Sequence, residues 1–288
     1  MHNLHEYLEK AKEDGRAIGH FNVSNVEALW AIFEAARDLK QPVIIGVSEG
    51  ERKFIGVRQA ASLVQSISNE FDYPIFMNAD HTHDVAGTKL CMDVGFDSVM
   101  IDGSKLGFDE NVKITKECTE YADRIAQEEG RTVLVEAELG YIGSSSALLE
   151  EIPDGAGKDK TTPEIAQKFV EETGIDIFAP SVGNIHGIVK SGNPHIDVEL
   201  VTKIAKAVDC YLVLHGGSGI SEEDIVGGIK AGISIVHVNT EIRKAFRDGL
   251  EESLAQNDSV APYKYMDLPR KKVYDVVYNK IKLFAGLE

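Results

Sequence analysis

The chain has 288 residues, 43% of them hydrophobic, which is enough core for one large domain or two small ones. Lys plus Arg total 30 against 47 for Asp plus Glu, a formal charge of −17, and this argues against nucleic acid, whose binding needs a basic face. Cys91, Cys118 and Cys210 are far apart and odd in number, which excludes a CxxC site or a disulfide framework and points to buried thiols in a reducing compartment.

The N-terminal "MHNLHEYLEKAKEDGRAIGH" is charged throughout and carries no apolar signal core. No stretch approaches the roughly 18 consecutive apolar residues of a membrane span, so a cytoplasmic chain without a membrane partner is expected. Eight apolar runs follow, each ending in polar residues or glycine: 16–23, 42–49, 74–80, 97–103, 132–140, 176–183, 211–217 and 233–239. Nearly continuous apolar runs of this length suit strands buried on both faces of a parallel sheet.

Helical patterns separate them. Ser24 is expected to cap a helix whose stripe is Leu29, Ile32, Phe33 and Ala36. Thr162 and Pro163 open another that Gly174 closes, residues 199–208 repeat the theme, and Ser221 caps the next with acidic residues in its first turn. The segment 141–161, "YIGSSSALLEEIPDGAGKDKT", has little pattern and is expected to be an active-site loop. The tail 262–288 reads as a helical extension with a loop before it.

Eight strands alternating with helices specify an α/β fold, a (β/α)8 TIM barrel, with the whole chain, 1–288, as one domain. A doubly wound open sheet is the runner-up, but "FNVSNVE" is not the Gly-rich phosphate turn that usually follows its first strand.

Barrel active sites lie at the C-terminal ends of the strands. Those ends supply Asn22, Ser48, Asp80–His81, Asp102, Glu138, Gly183–His186, His215–Ser218 and His237–Thr240. His81, His186 and His215 come from three separate strands and would meet at one mouth. Three imidazoles with an open position suit a catalytic zinc site, and the alternative is three satisfied polar residues at strand ends. His83 is read as capping or lining, and His2, His5, His20 and His195 receive no role. In "LHGGSGI", Gly216, Gly217 and Gly219 would let backbone N–H groups approach a phosphate beside the Ser218 hydroxyl; a tight turn that needs glycine is the bland alternative. Lys190 offers local positive charge, or is a solvated surface lysine.

Several motifs in order, "FNVSNVEALWAIFEAA", "PVIIGVSEG", "ADH", "MIDGS", "VEAELG", "GNIHG", "LHGGSG" and "VNTE", resemble the class II, zinc-dependent fructose- and tagatose-bisphosphate aldolases nearly end to end. The resemblance implies His81, His186 and His215 as zinc ligands, with Glu138 and Asp102 near an alternative or second metal position. It implies Asp80 as the acid that exchanges a proton with the substrate's C4 oxygen. Gly187, Gly216, Gly217, Ser218, Asn239 and Thr240 match positions around the dihydroxyacetone phosphate moiety, where a monovalent cation also sits in the family. Asn22 and Ser48 match further substrate-side positions.

The chain departs from the family pattern in two places. Ser144, Ser145 and Ser146 align with the loop acids, and Glu150 or Glu151 is expected to supply the carbon base instead. His237 stands where the family has an asparagine that contacts the ketone. The expected function is reversible cleavage of a phosphorylated ketose, fructose 1,6-bisphosphate first. The same chemistry on tagatose bisphosphate or another ketose or keto-acid phosphate is one alternative. A zinc-containing phosphosugar-binding protein without turnover is the other. A homodimer or higher homo-oligomer is expected.

Overall fold

The computed structural model describes residues 2–140, 142, 148–150, 160–189 and 194–287. Its strands are β1 (Ile18–Asn22), β2 (Val43–Gly46), β3 (Ile75–Thr82), β4 (Ser98–Ile101), β5 (Leu134–Leu139), β6 (Leu148–Leu149), β7 (Ile177–Pro180), β8 (Ile188–Val189), β9 (Tyr211–Leu214) and β10 (Ile233–Val238). Eight of them close into a barrel in the order β1-β10-β9-β7-β5-β4-β3-β2, every neighbour parallel, and β6 pairs with β8 outside it. All eight apolar runs of the sequence become barrel strands, so the TIM barrel is the observed fold and the open sheet is not.

The helices are α1 (Leu4–Glu13), α2 (Val26–Leu39), α3 (Glu49–Ile55), α4 (Val57–Phe71), α5 (Val85–Asp93), α6 (Phe108–Glu129), α7 (Pro163–Thr173), α8 (Val198–Ala207), α9 (Glu222–Ala231), α10 (Thr240–Gln256), α11 (Pro262–Tyr265) and α12 (Asp267–Phe284). Local chemistry sets their ends. Asn25, not Ser24, caps α2: its side chain accepts from Ala28 N at 2.8 Å. Asparagine one residue later satisfies the same orphan N–H, so the helix begins a position further on. Thr162, Pro163 and Gly174 bound α7 as the sequence indicates, with Gly174 in the left-handed region at φ 68°. Ser221 caps α9. No described helix is long and apolar enough to cross a membrane.

Strand periodicity sorts the barrel interior into layers. Alternate residues face inward. At the N-terminal end these are Ile18, Ile44, Phe76, Leu134, Ile177, Tyr211, Val213 and Ile235, and Leu4 and Leu8 of α1 close that end over them. Outward-facing Phe21, Val99, Val135, Leu212 and Val236 join the larger core under the helices. Two residues further along β1, β3, β5 and β10 the interior turns polar, with His20, Asn78, Glu136 and His237 all buried, and beyond them lie Asn22, Asp80, Glu138 and, on β9's end, His215. An apolar floor beneath buried polar layers is where a barrel places its chemistry.

Candidate active site

In a regular strand Asp80 and His81 would face opposite sides. Here the register of β3 with β4 shifts between Ala79 and Thr82, and His81 adopts φ 38°, a value that non-glycine residues rarely take. The bulge lets both side chains line one pocket. Arg52, buried on α3, braces it. Its guanidinium donates to Asp80 O at 3.0 Å, to Thr82 Oγ1 at 2.8 Å and to Val47 O.

His81, His186, His215 and Glu138 each bring one ligand atom into a group lying within 4.8 Å of one another. His81 Nδ1 donates to Asp102 Oδ2 at 2.9 Å, so Nε2 is left for the group. His215 Nε2 bonds Glu136 Oε1 at 2.6 Å, so Nδ1 faces inward, 3.2 Å from His81 Nε2. Two nitrogens on one tetrahedral zinc at about 2.0–2.1 Å stand about 3.3 Å apart. His186 Nε2 and Glu138 Oε2 are buried with no hydrogen-bond partner among the described residues. Buried polar atoms are rarely left so, and a cation would satisfy both. The residues therefore fit a metal ion.

The electrostatics agree. Burial lowers the imidazole of His215 to about 3 and that of His186 well below its usual value, leaving neutral nitrogens with lone pairs to give. Burial raises the Glu138 carboxyl to about 8, with the Asp102, Glu136 and Asp80 carboxylates adding to it. His81 runs the other way: burial opposes its charge, but Asp80, Asp102 and Glu138 raise it to about 10. Its proton and that of Glu138 are the ones a cation must displace. Asp102 is not in the four-residue group. Its Oδ2 holds His81 and its Oδ1 accepts from Ser104 N and Oγ at 3.1 and 2.6 Å. His83 is half-exposed, 3.6 Å from the same Oδ2.

Asp80 is buried beside this group. Burial alone would raise its carboxyl, but the imidazoles of His81, His237 and His20 outweigh that and hold it well below the usual carboxylate range. Asn22 Nδ2 donates to Asp80 Oδ2 and to Glu51 Oε2, both at 2.9 Å. Asp80 Oδ1 has no hydrogen-bond partner among the described residues. Sequence reasoning misses Glu51, although Ser48-x-x-Glu51 is a capping box. It accepts from Ser48 N, Ser48 Oγ, Asn22 and Arg243 Nη2, which ties α3, β1 and α10 together at the mouth.

His237 is buried with its Nδ1 3.6 Å from Asp80 Oδ1. Its ring stacks on His20 at 3.4 Å and 4° and leans on His215 at 4.1 Å. His20, to which the sequence gives no role, and Glu136 are also missed. Their signal was available: each lies two positions before a mouth residue on its strand, on the same inward face.

The pocket is lined by Asn22, Asp80, His81 and His237 on one side. His186, Gly187, Gly216, Ser218, Asn239 and Thr240 line the other. Ser48, Gly217, Glu138 and His215 are not part of its lining. The glycine turn answers to the tight-turn reading, because the N–H groups of Gly217 and Gly219 are already engaged within the protein. A side chain at Gly216 would meet Ile185 O at 2.1 Å, and Gly217 and Gly219 donate to His237 O at 3.0 Å and Glu241 Oε1 at 2.9 Å. Glu150 is exposed at the end of β6, whose partner β8 begins two residues after His186. Lys190, Ser144, Ser145, Ser146 and Glu151 lie outside the described residues.

Comparison with known proteins points to one family. The fructose-bisphosphate aldolase of Geobacillus stearothermophilus is 36% identical over 288 residues, spanning 99% of this chain and 96% of its own. That of Staphylococcus aureus (strain N315) is 37% identical over 290 residues, spanning 98% and 96%. Among solved structures, the YdjI aldolase from Escherichia coli K12 superposes with a TM-score of 0.83 at 31% identity over 98% of this chain and 96% of that one. The family profile described as fructose-bisphosphate aldolase class-II matches residues 2–287, and the chain belongs to that family of lyases.

Proposed function

We propose that this aldolase reversibly cleaves a phosphorylated ketose, fructose 1,6-bisphosphate, to dihydroxyacetone phosphate and glyceraldehyde 3-phosphate, with zinc held by His81, His186 and His215. Glu138 offers an alternative ligand beside them. The observation that carries the reading is this donor group, two of whose members, His81 and His186, share a pocket with Asp80, whose Oδ1 has no hydrogen-bond partner among the described residues. Zinc, when bound, supplies Lewis acidity against the negative charge that builds on the enediolate oxygen.

The chain's own residues account for the proton movements. Asn22 fixes one oxygen of Asp80 and leaves the other for the substrate. As the C3–C4 bond breaks, its electron pair stays on C3, and the C4 hydroxyl proton passes to Asp80 while that oxygen becomes the aldehyde. A protonated carboxyl on the loop, Glu150 or Glu151, returns a proton to C3. The pairing of β6 with β8 supports this role, since it ties Glu150 to the segment that carries His186. Gly187, Gly216, Gly217, Ser218, Asn239 and Thr240 form the phosphate side, with Lys190 as added charge and a monovalent cation as a further occupant. His237 shapes the remaining wall, Ser48 acts on the substrate side through Glu51 and Asn22, and Asp102 keeps His81 in the tautomer that binds metal. We place the reaction in the cytoplasm, in a homodimer or larger homo-oligomer.

One observation favours a second substrate: the buried imidazole of His237 on the pocket wall changes what the ketose meets. Initial rates on fructose bisphosphate, tagatose bisphosphate and a keto-acid phosphate, with and without chelator, test both. Chelator-sensitive cleavage of fructose bisphosphate at the highest kcat/KM is expected. Tight binding of all three without cleavage would contradict the enzyme reading.

A further inference from the structure

The barrel interior holds one histidine that the reaction as described does not use. His20 is 1% exposed on β1, directly across the ladder from His237 on β10. Its ring lies parallel to that of His237, 4° between planes and 3.4 Å between centroids. The ring also lies against Gly46 of β2, where even a methyl group would come within 2.1 Å of His20 Cε1. His20 Nε2 lies 3.2 Å from Asn78 Oδ1, and Asn78 Nδ2 donates to Ser98 Oγ at 2.8 Å. The imidazole is therefore boxed in by residues of β2, β3 and β10, and Ser98 of β4 anchors the box.

His237 has no comparable set of anchors of its own. Its Nδ1 is 3.6 Å from Asp80 Oδ1 and its Nε2 is 4.0 Å from Glu136 Oε2, both long for hydrogen bonds. Its second face leans on His215 at 35°. The one close, parallel contact that fixes its plane is His20. A ring held only by long polar contacts would tilt into any space left beneath it, because a cavity under a buried side chain is closed by partial collapse. The tilt would move the imidazole edge away from Asp80 and reshape the pocket wall.

We infer that His20 is a positioning residue for the aldol reaction: through its stacked ring it holds His237 at the angle that completes the pocket beside Asp80. The inference rests on the aldolase reading above. His20 touches no substrate in it and acts through His237 alone. This also assigns Gly46 a reason, since glycine is what leaves room for the His20 ring.

The test is a double-mutant cycle in retro-aldol turnover with the parent, His20→Ala, His237→Asn and the double variant. His20→Ala is expected to lower kcat by about tenfold to a hundredfold, with KM within about threefold, as for a misplacement near 1 Å. On the His237→Asn background the same change should cost less than about twofold. His20→Phe, which keeps a flat ring, should recover most of the loss, and His20→Leu, of similar size without a flat face, should not. The Phe and Leu pair decides the matter if the alanine variant does not fold. The His237 ring C–H resonances, shielded by His20, should move in the Leu variant and stay near the parent's in the Phe variant. Equal losses in both His237 backgrounds, or Leu equalling Phe in rate and resonance, overturn the inference while leaving the aldolase reading intact. A parent that cleaves no ketose phosphate overturns the aldolase reading and this role with it.

Discussion

Replacing Gly46 by alanine isolates the packing argument in one methyl group. Gly46 does not occupy the left-handed region, so alanine costs nothing in backbone conformation. The new Cβ would stand 2.1 Å from His20 Cε1, 2.6 Å from Nε2 and 3.0 Å from Nδ1, where ordinary contact begins at 3.4 Å. The ring must retreat by at least 3.0 − 2.1 = 0.9 Å, and by 3.4 − 2.1 = 1.3 Å to reach ordinary contact. Behind it His237 is already at 3.4 Å, so His20 cannot move without pushing His237 or breaking its bond to Asn78. Overpacking of this kind costs about 1–3 kcal/mol. Denaturant unfolding should show that loss, and kcat should fall by about tenfold or more as His237 shifts. Adding His20→Ala should restore part of the stability, because the smaller side chain accepts the methyl group. Stability within about 0.5 kcal/mol of the parent, the ordinary scatter of a harmless substitution, together with unchanged kcat, would refute the reasoning.

Three further outcomes are expected. Asp80→Ala should lower kcat by about 10²–10⁴-fold and retain bound metal; a loss under about tenfold would reduce Asp80 to a support for its neighbours. His215→Ala should lose metal by elemental analysis while far-UV circular dichroism stays barrel-like, and unchanged metal content would remove His215 from the ligand set. Asp97, which accepts from Met77 N at 2.8 Å, has its carboxyl raised by burial from 3.8 to about 6. The folded chain thus holds this proton more tightly than the unfolded one, so the stabilisation is full below about pH 4 and is lost as pH rises through 6. Asp97→Asn should therefore gain on the parent between about pH 4.5 and about pH 8, by at most about 3 kcal/mol, and parallel stability curves would contradict this.

The barrel was legible because buried parallel strands announce themselves as unbroken apolar runs, and the mouth residues because each run ends in polar ones. The interior beneath the mouth was harder to read. His20 and Glu136 sit inside such runs, where a single polar residue looks like an interruption, although each shares its inward face with a mouth residue two positions on. The bulge at Asp80–His81 leaves no local signal. "ADHT" reads as a plain strand end, and the register shift comes from pairing with β4 and from the bracing of Arg52, contacts remote in sequence. Glu51 was visible as a capping box, but its bonds to Asn22 and Arg243 exist only once α3, β1 and α10 meet. The displacement of the α2 cap from Ser24 to Asn25 is the kind of one-residue choice that two adjacent good caps leave open.

The most direct test of the central claim is a zinc titration of chelator-stripped protein, read as the rate of dihydroxyacetone phosphate release from fructose 1,6-bisphosphate. No release is expected without metal, and added zinc should raise it to a plateau at about one zinc per chain, the stoichiometry of a single open site with three histidine ligands. Full activity in the stripped protein, or saturation with zinc that restores no cleavage, would contradict that claim.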